Sequence, residues 1–200
     1  MFITFEGGEG TGKTTLIQRI ASILREKHQV TTTREPGGSV IAEAIRDIIL
    51  NPKYKGVTPF TEALLLAASR AQHIDEVIIP ALDKKHIVLC DRYLDSSLAY
   101  QGYARALGYD FILSINQYAV KHMPTLTFYI DLDPEVGLKR ISDREKYDRL
   151  DQETYNFHLK VRTGYLEILE MYPNRIIKID GTKTIDEITE IIISNIERKL

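Results

Sequence analysis

One stretch constrains the architecture of this chain more than any other. Gly7-Gly-Glu-Gly-Thr-Gly12-Lys13-Thr14 satisfies the pattern G-x-x-x-x-G-K-S/T, and it lies between the apolar run Phe2 to Glu6 and a helical pattern that starts at Lys13. Its glycines let the backbone curl until successive N–H groups point inward, and the helix N-terminus that follows adds a partial positive charge. A strand, loop and helix in that order form a cradle for phosphate. Lys13 is expected to reach the β- and γ-phosphates of a nucleoside triphosphate, and Thr14 to place its hydroxyl on Mg²⁺. The alternative is a glycine-rich turn that carries a lysine by accident.

Such a unit needs a parallel sheet, and the rest of the chain supplies one. Apolar β-rich runs at Phe2 to Glu6, Val30 to Thr33, Ile87 to Cys90, Leu126 to Asp131 and Arg175 to Ile179 alternate with helical patterns. The helices expected are Lys13 to Lys27, Ser39 to Leu50, Pro59 to Lys84, Ser96 to Gly108, Asp110 to Lys121, Pro134 to Ile141, Gln152 to Met171 and Thr184 to Leu200. This alternation predicts an α/β fold with helices on both faces of the sheet. No repeat or Pro/Gly/Ser-rich linker divides the 200 residues, so one domain over 1–200 is expected, with loop-like breaks at Asn51 to Thr58 and Ser142 to Asp151.

Charge and composition narrow the function. With 26 basic and 28 acidic side chains the net charge is -2, so the chain lacks the basic field that non-specific nucleic-acid binding requires. The longest apolar runs, such as Ala63 to Ala68, fall far short of the roughly 20 residues that span a bilayer. The N-terminus has no secretory pattern, and the lone Cys90 cannot form an internal disulfide. A cytoplasmic protein with no nucleic-acid or membrane partner is therefore expected. The five histidines show no metal-ligand spacing.

Asp91 follows the run Ile87 to Cys90, at the carboxyl end of a buried strand, where open α/β sheets bind ligands. Its carboxylate is a candidate Mg²⁺ ligand, directly or through water; a strand-ending aspartate also serves as a helix cap. Cys90 beside it is expected to pack in the core.

Several longer strings resemble bacterial thymidylate kinases. They are Phe5-Glu-Gly-Gly-Glu-Gly-Thr-Gly-Lys-Thr-Thr15, Thr33-Arg-Glu-Pro-Gly-Gly38, Asp91-Arg-Tyr93, Ser96-Ser-Leu-Ala-Tyr-Gln-Gly-Tyr103 and Asp148-Arg-Leu-Asp-Gln-Glu153, in the family's order. The resemblance implies a P-loop NTPase fold with a five-stranded parallel sheet and a short lid. It also implies a homodimer that uses Mg²⁺ to transfer the γ-phosphoryl of ATP to dTMP. On that basis Gly7, Gly8, Glu9, Gly10, Thr11, Gly12, Lys13, Thr14 and Thr15 hold ATP. Arg34, Arg46 and Arg92 hold the dTMP phosphate, with Glu35 and Pro36 in the same loop. Glu9 accepts from the deoxyribose 3'-hydroxyl. Tyr100 presses on C2', Leu66 and Arg70 lie along the thymine with Arg70 donating to O4, Ser97 and Gln101 lie near its N3 and carbonyl edge, and Ser96 belongs to the same dTMP-binding set. Similar enzymes carry phenylalanine where Leu66 stands.

Two anions meeting head to head require several fixed cations, because charge spreads over the transferred oxygens in the transition state. Lys139 to Arg149 carries five cations in eleven residues and resembles the family's lid. In members of that family whose P-loop lacks an arginine, as this one does, the lid supplies the catalytic one, so the resemblance implies Arg144 first, then Arg140 and Arg149, which also bind ATP, working with Lys13 and Arg92. A solvated, salt-bridged helix connection is the alternative for this segment. Two rival functions remain. A GTP-dependent switch would carry an Asn-Lys-x-Asp segment, and none is present. A deoxynucleoside kinase would leave Arg34 and Arg46 without a phosphate to bind.

Overall fold

The structure is a computed structural model that describes residues 1–54, 56–142, 149–151 and 153–200. Five strands form its sheet: β1 (Phe2–Glu6), β2 (Val30–Arg34), β3 (Ile87–Asp91), β4 (Leu126–Asp131) and β5 (Ile176–Asp180). All pairings are parallel and the order is β2-β3-β1-β4-β5. β1 and β4 are buried along their whole length, which is why their sequences are mainly apolar, with Thr4 and Thr127 paired to each other across the strands.

Alternate residues of these strands feed two cores, as the two-residue period of a strand demands. On one face Ile3, Phe5, Leu89 and Phe128 meet α1 (Lys13–Leu24) and α10 (Ile185–Glu197), through Leu16, Ile17, Ile20 and Ile188, Ile192, Ile196 at helical spacing. Burying a side chain such as Ile20 contributes about 1.5–3 kcal/mol. On the other face Phe2, Val88, Cys90 and Tyr129 pack against α3 (Pro59–His73), α4 (Ile79–Asp83), α5 (Leu94–Ser97) and α9 (Tyr155–Met171). α2 (Val40–Leu50) lies along α3, while α6 (Tyr109–Ile115), α7 (Gln117–Val120) and α8 (Pro134–Ile141) complete the order. The expected α/β architecture, with five parallel strands covered on both faces, is what the chain adopts.

The differences are local and have physical causes. The helix expected from Pro59 to Lys84 is interrupted at Ile74–Ile78 by a π-helical turn, just before Pro80, which has no N–H to continue the α pattern. The helix expected from Ser96 begins at Leu94 and continues as a second π-helical stretch, Leu98–Ala104. There Gly102 lets Tyr109 and Ile112 approach, and Gly164 of α9 lies so close that an added Cβ would be 3.1 Å from Ala99 Cα. Asp110 to Lys121 splits at Asn116 into α6 and α7. α9 starts at Tyr155 because the Thr154 side chain caps it, accepting from Phe157 N at 3.2 Å.

Register aims the loops. Asp91 pairs with Phe5 on one side and with Arg34 on the other, so β1, β2 and β3 end in one row at the carboxyl edge of the sheet. Chain connections diverge there, and a crevice opens beyond it.

Candidate active site

The glycine-rich loop leaves β1 with Gly7, Gly10 and Gly12 at positive φ (144°, 68° and 83°), conformations that a side chain would strain. It is pressed against its neighbours: a Cβ on Gly10 would lie 2.0 Å from Gly137 O of α8, and a Cβ on Gly137 would lie 2.2 Å from Glu9 O. Lys13 is buried, and its Nζ donates to Gly7 O (3.1 Å), Gly8 O (2.8 Å) and Thr11 Oγ1 (3.1 Å). Burial, and then the positive field of Arg92, bring its pKa down to about 8. Thr14 Oγ1 donates to Asp91 Oδ2 at 2.9 Å, so the P-loop hydroxyl and the β3 carboxylate stand side by side.

Beyond the loop lies a cavity of about 280 Å³. It brings together Glu9 to Thr15 of the loop with Arg34, Glu35, Pro36, Arg46, Leu66, Arg70, Asp91, Arg92, Ser96, Ser97, Tyr100 and Gln101, segments that lie up to 92 positions apart in sequence. Leu50, Tyr93, Leu150 and Asp151 line it as well. Gly7 lies beneath it, giving its carbonyl to Lys13 and Arg92, and Gly8 faces a smaller recess behind the loop.

Each phosphate-directed arginine is engaged by the protein itself. Arg34 Nη2 donates to both oxygens of Glu43, at 3.0 and 2.9 Å, and Arg46 Nη1 donates to Pro36 O at 2.7 Å. Arg92 has a left-handed backbone, φ 69°, which turns its side chain under the P-loop. Its guanidinium donates to Gly7 O (2.9 Å), Ser96 Oγ (3.3 Å), Tyr165 OH (3.2 Å) and Glu9 Oε1 (2.5 Å), and lies 5.0 Å from the Tyr100 ring centre. Tyr100 OH also donates to Glu9, at 2.8 Å. Burial alone would raise the Glu9 pKa, but Arg92 and Lys13 together hold it at about 2, so Glu9 is a carboxylate at every working pH.

At the far end of the cavity Glu62, Leu66, Arg70 and His73 form one buried stripe along α3, spaced four, four and three apart. Arg70 Nε donates to Glu35 Oε2 (2.6 Å), and the other Glu35 oxygen meets His73 Nδ1 (3.0 Å). Glu35 therefore faces Arg70 and His73 with both oxygens and acts through them. Gln101 Nε2 donates to Glu62 Oε1 at 2.8 Å.

The lid residues divide. Arg140 Nη1 donates to Gly10 O at 3.4 Å, so it touches the loop from α8. Arg149 does not line the cavity: its backbone N–H reaches Leu50 O, its Nε donates to Ile49 O at 2.9 Å, and its Nη2 pairs with Glu62. Arg144 lies outside the described residues.

Glu6 and Tyr165 escaped the sequence patterns. Glu6 Oε1 accepts from Tyr93 N (2.7 Å), and Oε2 accepts from Ser96 Oγ (2.5 Å) and Tyr165 OH (2.9 Å), the same two hydroxyls that meet Arg92. The usable signal was a carboxylate ending a strand that is buried throughout, which must find partners. Burial, and then the charge of Asp95, push its pKa up to about 7 from an ordinary 4.5. The folded chain thus binds more protons than the unfolded one between those values, and Glu6 lowers stability progressively as pH rises from 4.5 through 7. Glu6→Gln cannot ionise and is expected to flatten that part of the profile. Melting temperatures from pH 5 to 8 check this, and parallel curves for the two proteins would refute it.

The family model for thymidylate kinase matches residues 5–192. The thymidylate kinase of Acholeplasma laidlawii is 58% identical over 203 residues, covering all of both chains. That of Geobacillus sp. is 54% identical over 197 residues, covering 96% of this chain and 94% of the relative. A crystal structure of thymidylate kinase from Ehrlichia chaffeensis matches with a TM-score of 0.80 at 32% identity, over 98% of each chain.

Proposed function

We infer the reaction from one premise: the chain belongs to the thymidylate kinase family. It is a dTMP kinase, transferring the γ-phosphoryl group of ATP to dTMP and releasing dTDP and ADP. The observation that carries the residue assignments is the convergence of Lys13 with Arg34, Arg46 and Arg92 on one cavity, which supplies cations for two anions at once. An oxygen of the dTMP phosphate attacks the γ-phosphorus, a P–O bond forms, and the bond to the β-phosphate oxygen breaks with its electrons leaving on ADP. The acceptor oxygen is already ionised, so no side chain has to remove a proton.

In this assignment the loop from Gly7 to Thr15 holds ATP and Lys13 stabilises charge on the moving group. Arg34, Arg46 and Arg92 take the acceptor phosphate, exchanging Glu43, Pro36 O and Glu9 for phosphate oxygens. Glu9 and Tyr100 then frame the sugar, Leu66, Arg70, Ser97 and Gln101 frame the base, and Ser96 joins the dTMP site beside Arg92. Thr14 and Asp91 offer two adjacent hard oxygens, a donor set that fits Mg²⁺, which takes one or two protein ligands and fills its shell with water and phosphate. When bound there, Mg²⁺ would neutralise charge between the β- and γ-phosphates. A single kinase domain over 1–200 is proposed, acting in the cytoplasm without nucleic acid. No helix among the described residues is long and apolar enough to cross a membrane. A homodimer is also proposed, supported by the exposed apolar side chains Ile41, Ile48, Phe60 and Leu64 on the packed pair α2 and α3.

The test is ADP release in a coupled assay across dTMP, dUMP, dGMP, dCMP and thymidine. Turnover should depend on dTMP, and faster turnover with thymidine would point to a nucleoside kinase. For the lid we propose Arg144 as the catalytic arginine. Arg144→Ala should lower kcat by about 10²–10³-fold with dTMP affinity nearly intact, whereas equal loss of binding and rate would make it a positioning residue. Leu66, 7% exposed at the cavity wall, offers the base no ring. Leu66→Phe should tighten dTMP binding by about 2–10-fold, the equivalent of 0.5–1.5 kcal/mol of stacking. Unchanged affinity by calorimetry would mean that Leu66 does not touch the base.

A further inference from the structure

We propose that Asn116 and Glu35 are positioning residues that clamp Arg70 with one N–H left for the cavity, and that this clamp makes the enzyme select a base bearing a carbonyl over one bearing an amino group. The proposal rests on the assignment of the base to the Arg70 end of the cavity. A guanidinium has five N–H bonds and no acceptor. Arg70, 2% exposed, uses four of them: Nε to Glu35 (2.6 Å), one on Nη1 to Asn116 Oδ1 (2.6 Å), and two on Nη2 to Ser97 Oγ (2.9 Å) and Tyr93 O (3.2 Å). The fifth, on Nη1, belongs to a side chain that lines the cavity.

Both clamps are themselves fixed. Asn116 is 3% exposed at the joint between α6 and α7, and its Nδ2 donates to Ile112 O at 2.9 Å, which sets the face of the amide and leaves Oδ1 for Arg70. Glu35 is tied through His73, whose Nε2 meets Thr33 Oγ1 of β2 at 2.6 Å. The chain of bonds runs from β2 through α3 to the α6–α7 joint, so Arg70 cannot withdraw or turn over.

That immobility is what discriminates. Gln101 also lines the cavity, but with one N–H of its amide spent on Glu62 Oε1 it still carries both an acceptor and a second donor, so it can meet either kind of base edge. A clamped guanidinium can only donate. A base carbonyl completes its fifth bond, while an exocyclic amine sets N–H against N–H and leaves buried donors unpaired, the kind of mismatch that sites use to reject analogues.

The experiment compares kcat/KM for dTMP and 5-methyl-dCMP, whose bases differ in the carbonyl or amine at position 4 and the attendant N3 proton. Asn116→Ala is expected to raise KM for dTMP about tenfold with kcat within about twofold, and to lower the dTMP preference about tenfold. Asn116→Ser, too short to reach Nη1, should do the same and serves if the alanine variant does not fold. Asn116→Asp, which keeps an acceptor on Nη1, should restore most of the preference. Arg70→Lys marks the underlying assignment. A preference unmoved by Asn116→Ala and Asn116→Ser while Arg70→Lys abolishes it overturns the clamp. A preference unmoved by Arg70→Lys as well overturns the placement of the base, and the clamp with it.

Discussion

Lys13→Ala is expected to lower kcat by about 10³-fold at saturating dTMP, with a smaller rise in KM for ATP. The effect should fall mainly on the rate, because the neighbouring backbone amides and the α1 N-terminus still bind the triphosphate, whereas only the ammonium supplies a mobile positive charge to the group in flight. In the structure that ammonium is held by Gly7 O, Gly8 O and Thr11 Oγ1, a position within the loop it serves. Lys13→Arg should not restore activity, since a planar fork does not fit a seat built for a compact point charge. With its pKa drawn down to about 8 in the free protein, Lys13 loses its proton as pH rises through 8, and kcat/KM for ATP should decline over that interval. Single-turnover rates at saturating and at limiting ATP across pH 6.5 to 9 measure both effects. A loss of less than tenfold at saturating ATP would reduce Lys13 to a structural tie of the loop.

The second large effect lies outside the loop, at Gly137→Ala. The added methyl carbon would sit 2.2 Å from Glu9 O, and the obstacle is main chain, which cannot swing aside as a side-chain tip could. Either α8 retreats or the loop at Glu9 and Gly10 is displaced toward the nucleotide. Overpacking of this kind costs about 1–3 kcal/mol. Because a misplacement of about an ångström at a phosphoryl-transfer site is worth about a hundredfold, kcat/KM for ATP should fall by at least that factor. Val136→Ala, on the exposed side of the same helix, is the control and should change stability by less than about 0.5 kcal/mol. Normal ATP kinetics and an unchanged melting temperature in Gly137→Ala would show that the helix and loop have room to spare.

Legibility from sequence followed burial. The central strands could be placed because both their faces are covered, so hydrophobicity alone outlines them, and the end points of β1 and β4 match the expected runs. The π-helical turns could not, since each depends on where Pro80 or Gly102 falls against packed neighbours. In the site, the P-loop and the string Thr33 to Gly38 carry local patterns, and the cavity gathers most of their residues. What those residues bond to was hidden. Arg149, one of five cations in a charged connection, gives no local sign that it would pair with Glu62, 87 positions away. Tyr165 reaches Glu6 across 159 positions, and Asn116 reaches Arg70 across 46, distances at which residue spacing says nothing.

The placement of β1 between β3 and β4 has a consequence for how this protein fails. Its amides are held on both sides, so they exchange with solvent only when the sheet as a whole opens, whereas the outer edges of β2 and β5 can fray on their own. The loop that grips nucleotide is thereby suspended from the most protected strand in the molecule. Denaturant that loosens the periphery leaves the cradle standing, so acceptor binding through Arg34, at the end of the edge strand β2, should be lost before the grip on ATP.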